Sequence, residues 1–144
     1  MTEDRIINCL NEVGFNFVKM DDKFSRYDAF DSEGYTMMEI KCRHKHYPDT
    51  IIEKIKFDWN KEHAEKNDLE FLYVVSMPCP IKKKEVIYVF DPLVMEAEDD
   101  YNFKWHTKRL PAKTEFAGRQ WVDKEIGYLN IKDALVTVEE KVHQ

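Results

Sequence analysis

The sequence of 144 residues predicts a mixed α/β domain. Three observations carry that expectation. Ile6, Ile7, Leu10 and Val13 recur at helical spacing near the start. Residues 15–43 break into short strand-like segments separated by turn-forming sequences. Residues 70–77, EFLYVVSM, form a nearly continuous apolar run, as expected of a strand buried on both faces.

The elements follow in order. Residues 2–13 read as a helix, with Thr2 as N-cap, Glu3 and Asp4 in the first turn, and Gly14 to end it. Residues 15–20 suit a strand, and Asp21-Asp22-Lys23 a turn. A second strand over 24–30 and a third over 35–43 flank the hairpin turn Asp31-Ser32-Glu33-Gly34. Tyr47-Pro48-Asp49 breaks the run. Thr50-Ile51-Ile52-Glu53 matches a capping box, predicting a helix to about Asn67 with Ile52, Ile55, Trp59 and His63 as its apolar stripe. Strands over 70–77 and 85–90 come next. Asp91-Pro92 opens a more irregular stretch, with a strand around 120–128 and a short helix after Asn130. The expected order is helix, three-strand meander, helix, strand, strand. We expect one domain over 1–144, with a core over about 2–90 and a C-terminal extension over about 91–144.

Composition narrows the function classes. Apolar residues are 43% and charged residues 35%, which fits a folded, soluble chain. No apolar run approaches a membrane span, and MTEDRIINCL lacks the basic start of a secretory signal, so a cytoplasmic protein is expected. Cys9, Cys42 and Cys79 are odd in number and widely spaced, which favours reduced thiols. The net charge of −6 argues against a general nucleic-acid coat protein. Basic residues nevertheless cluster locally at Lys41, Arg43 and Lys45, at Lys82–Lys84, and over 104–113.

Side chains alternate along a strand, so Glu39, Lys41 and Arg43 share one face of the third strand, and Met38, Ile40, Cys42 and His44 the other. A four-residue turn from Asp31 to Gly34 pairs Phe30 with Tyr35 and sets Asp28 opposite Met37. Asp28 and Glu39 then become diagonal neighbours with backbones roughly 7–8 Å apart. Two carboxylates that close repel unless a cation lies between them, and Mg²⁺ needs only one or two protein carboxylates.

Asp28, ten intervening residues, then Glu39-Ile40-Lys41 resembles the signature of the PD-(D/E)XK nuclease superfamily. The element order resembles that family's restriction-endonuclease-like core, with the acid on the second strand and the ExK on the third. Glu3, Leu10 and Gly14 also match E-x6-L-x3-G, a helix pattern found in members that include Holliday-junction resolvases. The resemblance covers about residues 2–90. The family's proline is Tyr27 here. A second match, Asp123 with Glu139-Glu140-Lys141, has no meander around it and is set aside.

The resemblance implies a Mg²⁺- or Mn²⁺-dependent DNA endonuclease. It implies Asp28, Glu39, the Ile40 carbonyl and Glu3 as metal ligands, and Lys41 as the group that orients water or stabilises the transition state. A lysine on the following helix often faces the site in such proteins; Lys56 is the first candidate and Lys54 the second. Arg43 and Lys45 extend the basic track towards DNA. A stand-alone domain of this size resembles phage nucleases, acting in a bacterial or phage-infected cell. A homodimer or a protein partner is compatible with it.

Other readings stand beside this one. The chain could be a non-catalytic nucleic-acid-binding or protein-interaction module retaining the nuclease fold, which the net charge favours. An RNA-directed nuclease is weaker, because no RNA-specific module is present. Cys42, His44 and His46 on one strand would be an unusual zinc set. Trp105-His106 with Phe116 and Trp121 reads as a packing layer more readily than as a stacking surface for bases.

Overall fold

The computed structural model describes residues 1–21, 27–98, 103–112 and 120–141. Thr2 caps the first helix, α1 (Glu3–Glu12), its hydroxyl accepting from the Arg5 amide at 3.2 Å. Ile6, Ile7, Cys9 and Leu10 are buried, whereas Val13 is 57% exposed at the C-cap, where the helical spacing no longer applies. Gly14 follows at φ +112°, a left-handed conformation that ends the helix with little strain.

The three-strand meander is β1 (Phe17–Lys19), β2 (Ala29–Asp31) and β3 (Thr36–Cys42), antiparallel throughout. Asp22 and Lys23 of the expected turn, and residues 24–26 of the strand expected over 24–30, lie outside the described residues; of the rest of that strand only Ala29 and Phe30 are in β2. The β2–β3 register corrects the sequence expectation by two residues. Phe30 pairs with Met37, not Tyr35. The reason is local: Asp31 Oδ1 accepts from the Tyr35 and Thr36 amides at 2.7 and 3.1 Å, and the Tyr35 carbonyl accepts from Glu70. Tyr35 is thereby withdrawn from the hairpin ladder. A two-residue shift keeps every side chain on its original face.

A second correction concerns Thr50-Ile51-Ile52-Glu53. These residues lie in a strand, β4 (Asp49–Glu53), and the helix α2 begins only at Lys54 (Lys54–Asn67). Thr50, Ile51 and Ile52 are β-branched, and strand pairing outweighs a capping box here. The apolar stripe moves accordingly. Phe57, Asn60 and Ala64 are buried, while Ile55 is 75% exposed.

The crossover through β4 and α2 returns the chain to β5 (Glu70–Pro78), which pairs parallel with β3 and sets Tyr73 beside Glu39. Antiparallel β6 (Lys84–Phe90) follows, then a short helix α3 (Pro92–Ala97) capped by Asp91. Among the described residues, the further strands are β7 (His106–Pro111), β8 (Trp121–Asn130) and β9 (Val136–Lys141), with a 3-10 turn at Ile131–Asp133.

Two sheets result. One has the order β1-β2-β3-β5-β6-β9 and the other β4-β8-β7. The larger sheet has a core on each face. Met38, Ile40, Leu72, Val74, Ile87 and Val89 pack with α1, and Met37, Phe71, Tyr73, Val75 and Phe90 with α2, Met95 and Phe103. This explains the unbroken apolar run of β5. β9 was not expected: Val136 and Val138 pack on the α1 side, but only two apolar positions alternate. Among the described residues, no helix is long and apolar enough to cross a membrane.

Candidate active site

Asp28 lies immediately before β2, one residue beyond the last ladder pair, Ala29 with Met38. The Asp28 amide donates to the Met38 carbonyl at 2.8 Å, and the Ile40 amide donates to Asp28 Oδ2 at 2.6 Å. The carboxylate thus fills the strand edge left open where β2 starts. Strand residues direct N–H and C=O to the same side, so the Ile40 carbonyl faces this edge too.

Glu39 is 5% exposed. Its Oε1 lies 3.3 Å from Lys41 Nζ, and its Oε2 accepts from Asn60 Nδ2 of α2 at 3.4 Å. Burial pushes the Glu39 carboxyl above the ordinary range and Asp28 adds to this, while Lys41 and Lys56 pull the other way. Glu3, partly buried at the start of α1, is also raised, by burial and then by Asp28. The Lys56 ammonium is disfavoured by burial, but Glu53 and Glu39 outweigh that and raise its pKa.

The structure therefore brings Asp28, Glu39, Lys41 and Lys56 into one electrostatic neighbourhood, with Glu3 at its flank. Arg43 lies just past β3 and acts on the buried Tyr73 hydroxyl, which donates to the Ile51 carbonyl at 2.9 Å. Lys45 is exposed beyond the strand end. Lys54 pairs with Asp58 at 2.7 Å and lines a groove of about 490 Å³ with Glu53, Ile55 and Lys124.

Asn60, Glu53 and Tyr73 escaped the sequence reading. Asn60 was legible in principle, as a polar residue between Phe57 and Ala64 on a buried helix face. Glu53 was hidden by its apparent role in a capping box.

Among the described residues, no three His, Cys, Asp or Glu side chains converge as a metal cluster. Cys42 ends β3, and His44 and His46 lie beyond the strand. Two neighbouring carboxylates, Asp28 and Glu39, and one strand carbonyl nevertheless suit Mg²⁺, which keeps several waters and binds through one or two carboxylates. The set-aside match does not assemble. Asp123 is in the smaller sheet and pairs with Arg109, whereas Glu139 pairs with Lys84 in the larger one.

No family model and no curated protein matches the chain. Among solved structures it is similar to Hjc, a Holliday junction resolvase from the archaeal hyperthermophile Archaeoglobus fulgidus. The two are 16% identical, the match covers 90% of this chain and 96% of that one, and the TM-score is 0.47.

Proposed function

We propose that this protein is a metal-dependent DNA endonuclease that hydrolyses phosphodiester bonds. The observation that carries the reading is the Asp28 carboxylate on the Ile40 amide at 2.6 Å, one residue along β3 from Glu39, with Lys41 at 3.3 Å from Glu39. Close carboxylates are electrostatically unfavourable alone and become favourable around a divalent cation.

Asp28, Glu39 and the Ile40 carbonyl would hold Mg²⁺ or Mn²⁺, and Glu3 would reach it directly or through water. The bound ion supplies a water of lowered pKa and neutralises phosphate charge. The Lys41 ammonium would orient the attacking water and stabilise charge on the phosphorane-like transition state. Lys56 adds a second cation on the α2 side. Asn60 fixes one Glu39 oxygen, so the carboxylate meets the ion in one orientation.

The competing reading is a binding module that keeps this fold without catalysis, and the net charge of −6 favours it. Incubating a plasmid and a branched junction with Mg²⁺ or Mn²⁺, against EDTA, separates the two. Metal-dependent cutting that Asp28→Asn and Lys41→Ala abolish is expected. No cutting of any nucleic acid, or cutting that survives both substitutions, refutes the enzyme reading.

A further inference from the structure

We infer that Glu53 is a positioning residue. Held by Lys124 of the smaller sheet, its carboxylate keeps the Lys56 ammonium beside Glu39 and Lys41. This rests on the nuclease reading of that site and extends it to the second sheet.

Three local oddities share this one explanation. Glu53 is the N-cap residue of α2, yet its side chain makes no capping hydrogen bond. The first turn of α2 carries Lys54 and Lys56 and no acid, opposite to what the helix dipole favours. Lys124 on β8 stands across from Lys108 on β7, a like-charge pair that a ladder disfavours. All three are reconciled at the Glu53 carboxylate. Lys124 Nζ lies 2.6 Å from Oε1, and Lys56 Nζ lies 3.2 Å from Oε2.

The geometry is well fixed. The Glu53 side chain is 19% exposed, so the contact is partly shielded from solvent. β4 is held on one side by its ladder with β8, where Glu53 pairs with Ile126. It is held on the other by the Tyr73 hydroxyl on the Ile51 carbonyl. Burial disfavours the Glu53 anion, but Lys124 and Lys56 more than offset this and lower its pKa, so it stays charged at neutral pH. The groups acting on Lys56 are Glu53, Glu39 and Lys41. Without Glu53, an ammonium on a long, half-exposed side chain samples many rotamers.

The test is a double-mutant cycle on cleavage, with Glu53→Gln, Lys56→Met and the pair. Misplacing a catalytic-site group typically costs up to about a hundredfold, so Glu53→Gln should lower kcat by roughly ten- to a hundredfold with little change in KM. In the Lys56→Met background the same change should have almost no further effect. Glu53→Asp keeps the charge but draws it back by one methylene, and an intermediate loss is expected. Losses that add, or a Glu53→Gln protein with full kcat, overturn the inference. A wild type that cuts nothing refutes the nuclease reading instead. The Glu53 contact is then judged by NMR titration of the Lys56 side chain in the free protein. Glu53→Gln must lower its midpoint, and an unmoved midpoint overturns the contact itself.

Discussion

Replacing Glu39 with Gln is expected to change stability and activity in opposite directions. The Glu39 side chain is 7% exposed, and a buried carboxylate costs several kcal/mol in lost hydration. Lys41 at 3.3 Å returns about 5 kcal/mol if the effective dielectric constant is about 20. Lost hydration and Asp28 repulsion still prevail, because the Glu39 pKa remains above its ordinary value of 4.5. A raised carboxyl pKa means that the fold prefers the protonated form. Its stabilising contribution is complete below the unfolded-state value and is lost as pH rises through the folded-state value. Glu39→Gln should therefore match the wild type in acid and exceed it at neutral pH in EDTA, by about 2–4 °C in Tm for each kcal/mol relieved. Saturating Mg²⁺ reverses the order. A ligand at a hundredfold excess over Kd adds about 2.7 kcal/mol to the wild type and should add little to a variant lacking a ligand oxygen. Cleavage should fall by more than about a hundredfold, since even outer-shell partners of a metal are worth 10–100-fold. Thermal unfolding in EDTA and in Mg²⁺ checks both halves. A variant less stable than the wild type in neutral EDTA, or Mg²⁺ stabilising both proteins equally, refutes the reasoning.

Three further outcomes follow from the packing. Gly127→Ala should destabilise by about 1–3 kcal/mol in urea unfolding, because a Cβ there would sit 2.9 Å from the Phe103 carbonyl and 3.1 Å from the Trp105 ring. Phe57→Ala should cost about 3–5 kcal/mol, while Ile55→Ala, three-quarters exposed, should stay within about 0.5 kcal/mol by the same measurement. A disulfide reagent in mildly alkaline buffer should label Cys79 first and leave Cys9 unlabelled until denaturant is added. Burial and Glu140 push the Cys9 thiol up to about 11, whereas the Ile81 and Lys82 amides lower that of Cys79.

The sequence made α1, the meander and β5 legible because each has a strong period or an unbroken apolar run. The face shared by Glu39 and Lys41 was legible too, since alternation along β3 does not depend on the hairpin register. The register itself was not, because it turns on whether the Asp31 side chain captures the Tyr35 amide. The strand β4 was misread because Thr50 to Glu53 satisfies a helix-start pattern and a strand propensity equally. Only its partner some 75 residues later decides between them, through pairs such as Ile51 with Tyr128. Asn60 and Glu53 were lost with that error, since shifting the start of α2 changes which residues face the sheet.

The pairing of β4 with β8 also bears on what can be removed from the chain. The parallel strands β3 and β5 are joined by a crossover that borrows a strand from the other sheet, so the second half of the sequence is not an appendage. A chain truncated after β6 would strip five registered pairs from β4 and six from β6. Both strands would then present open backbone edges, the usual template for aggregation. Cutting this protein back to a fragment ending at about residue 90 should give insoluble material, even though every candidate ligand would be retained.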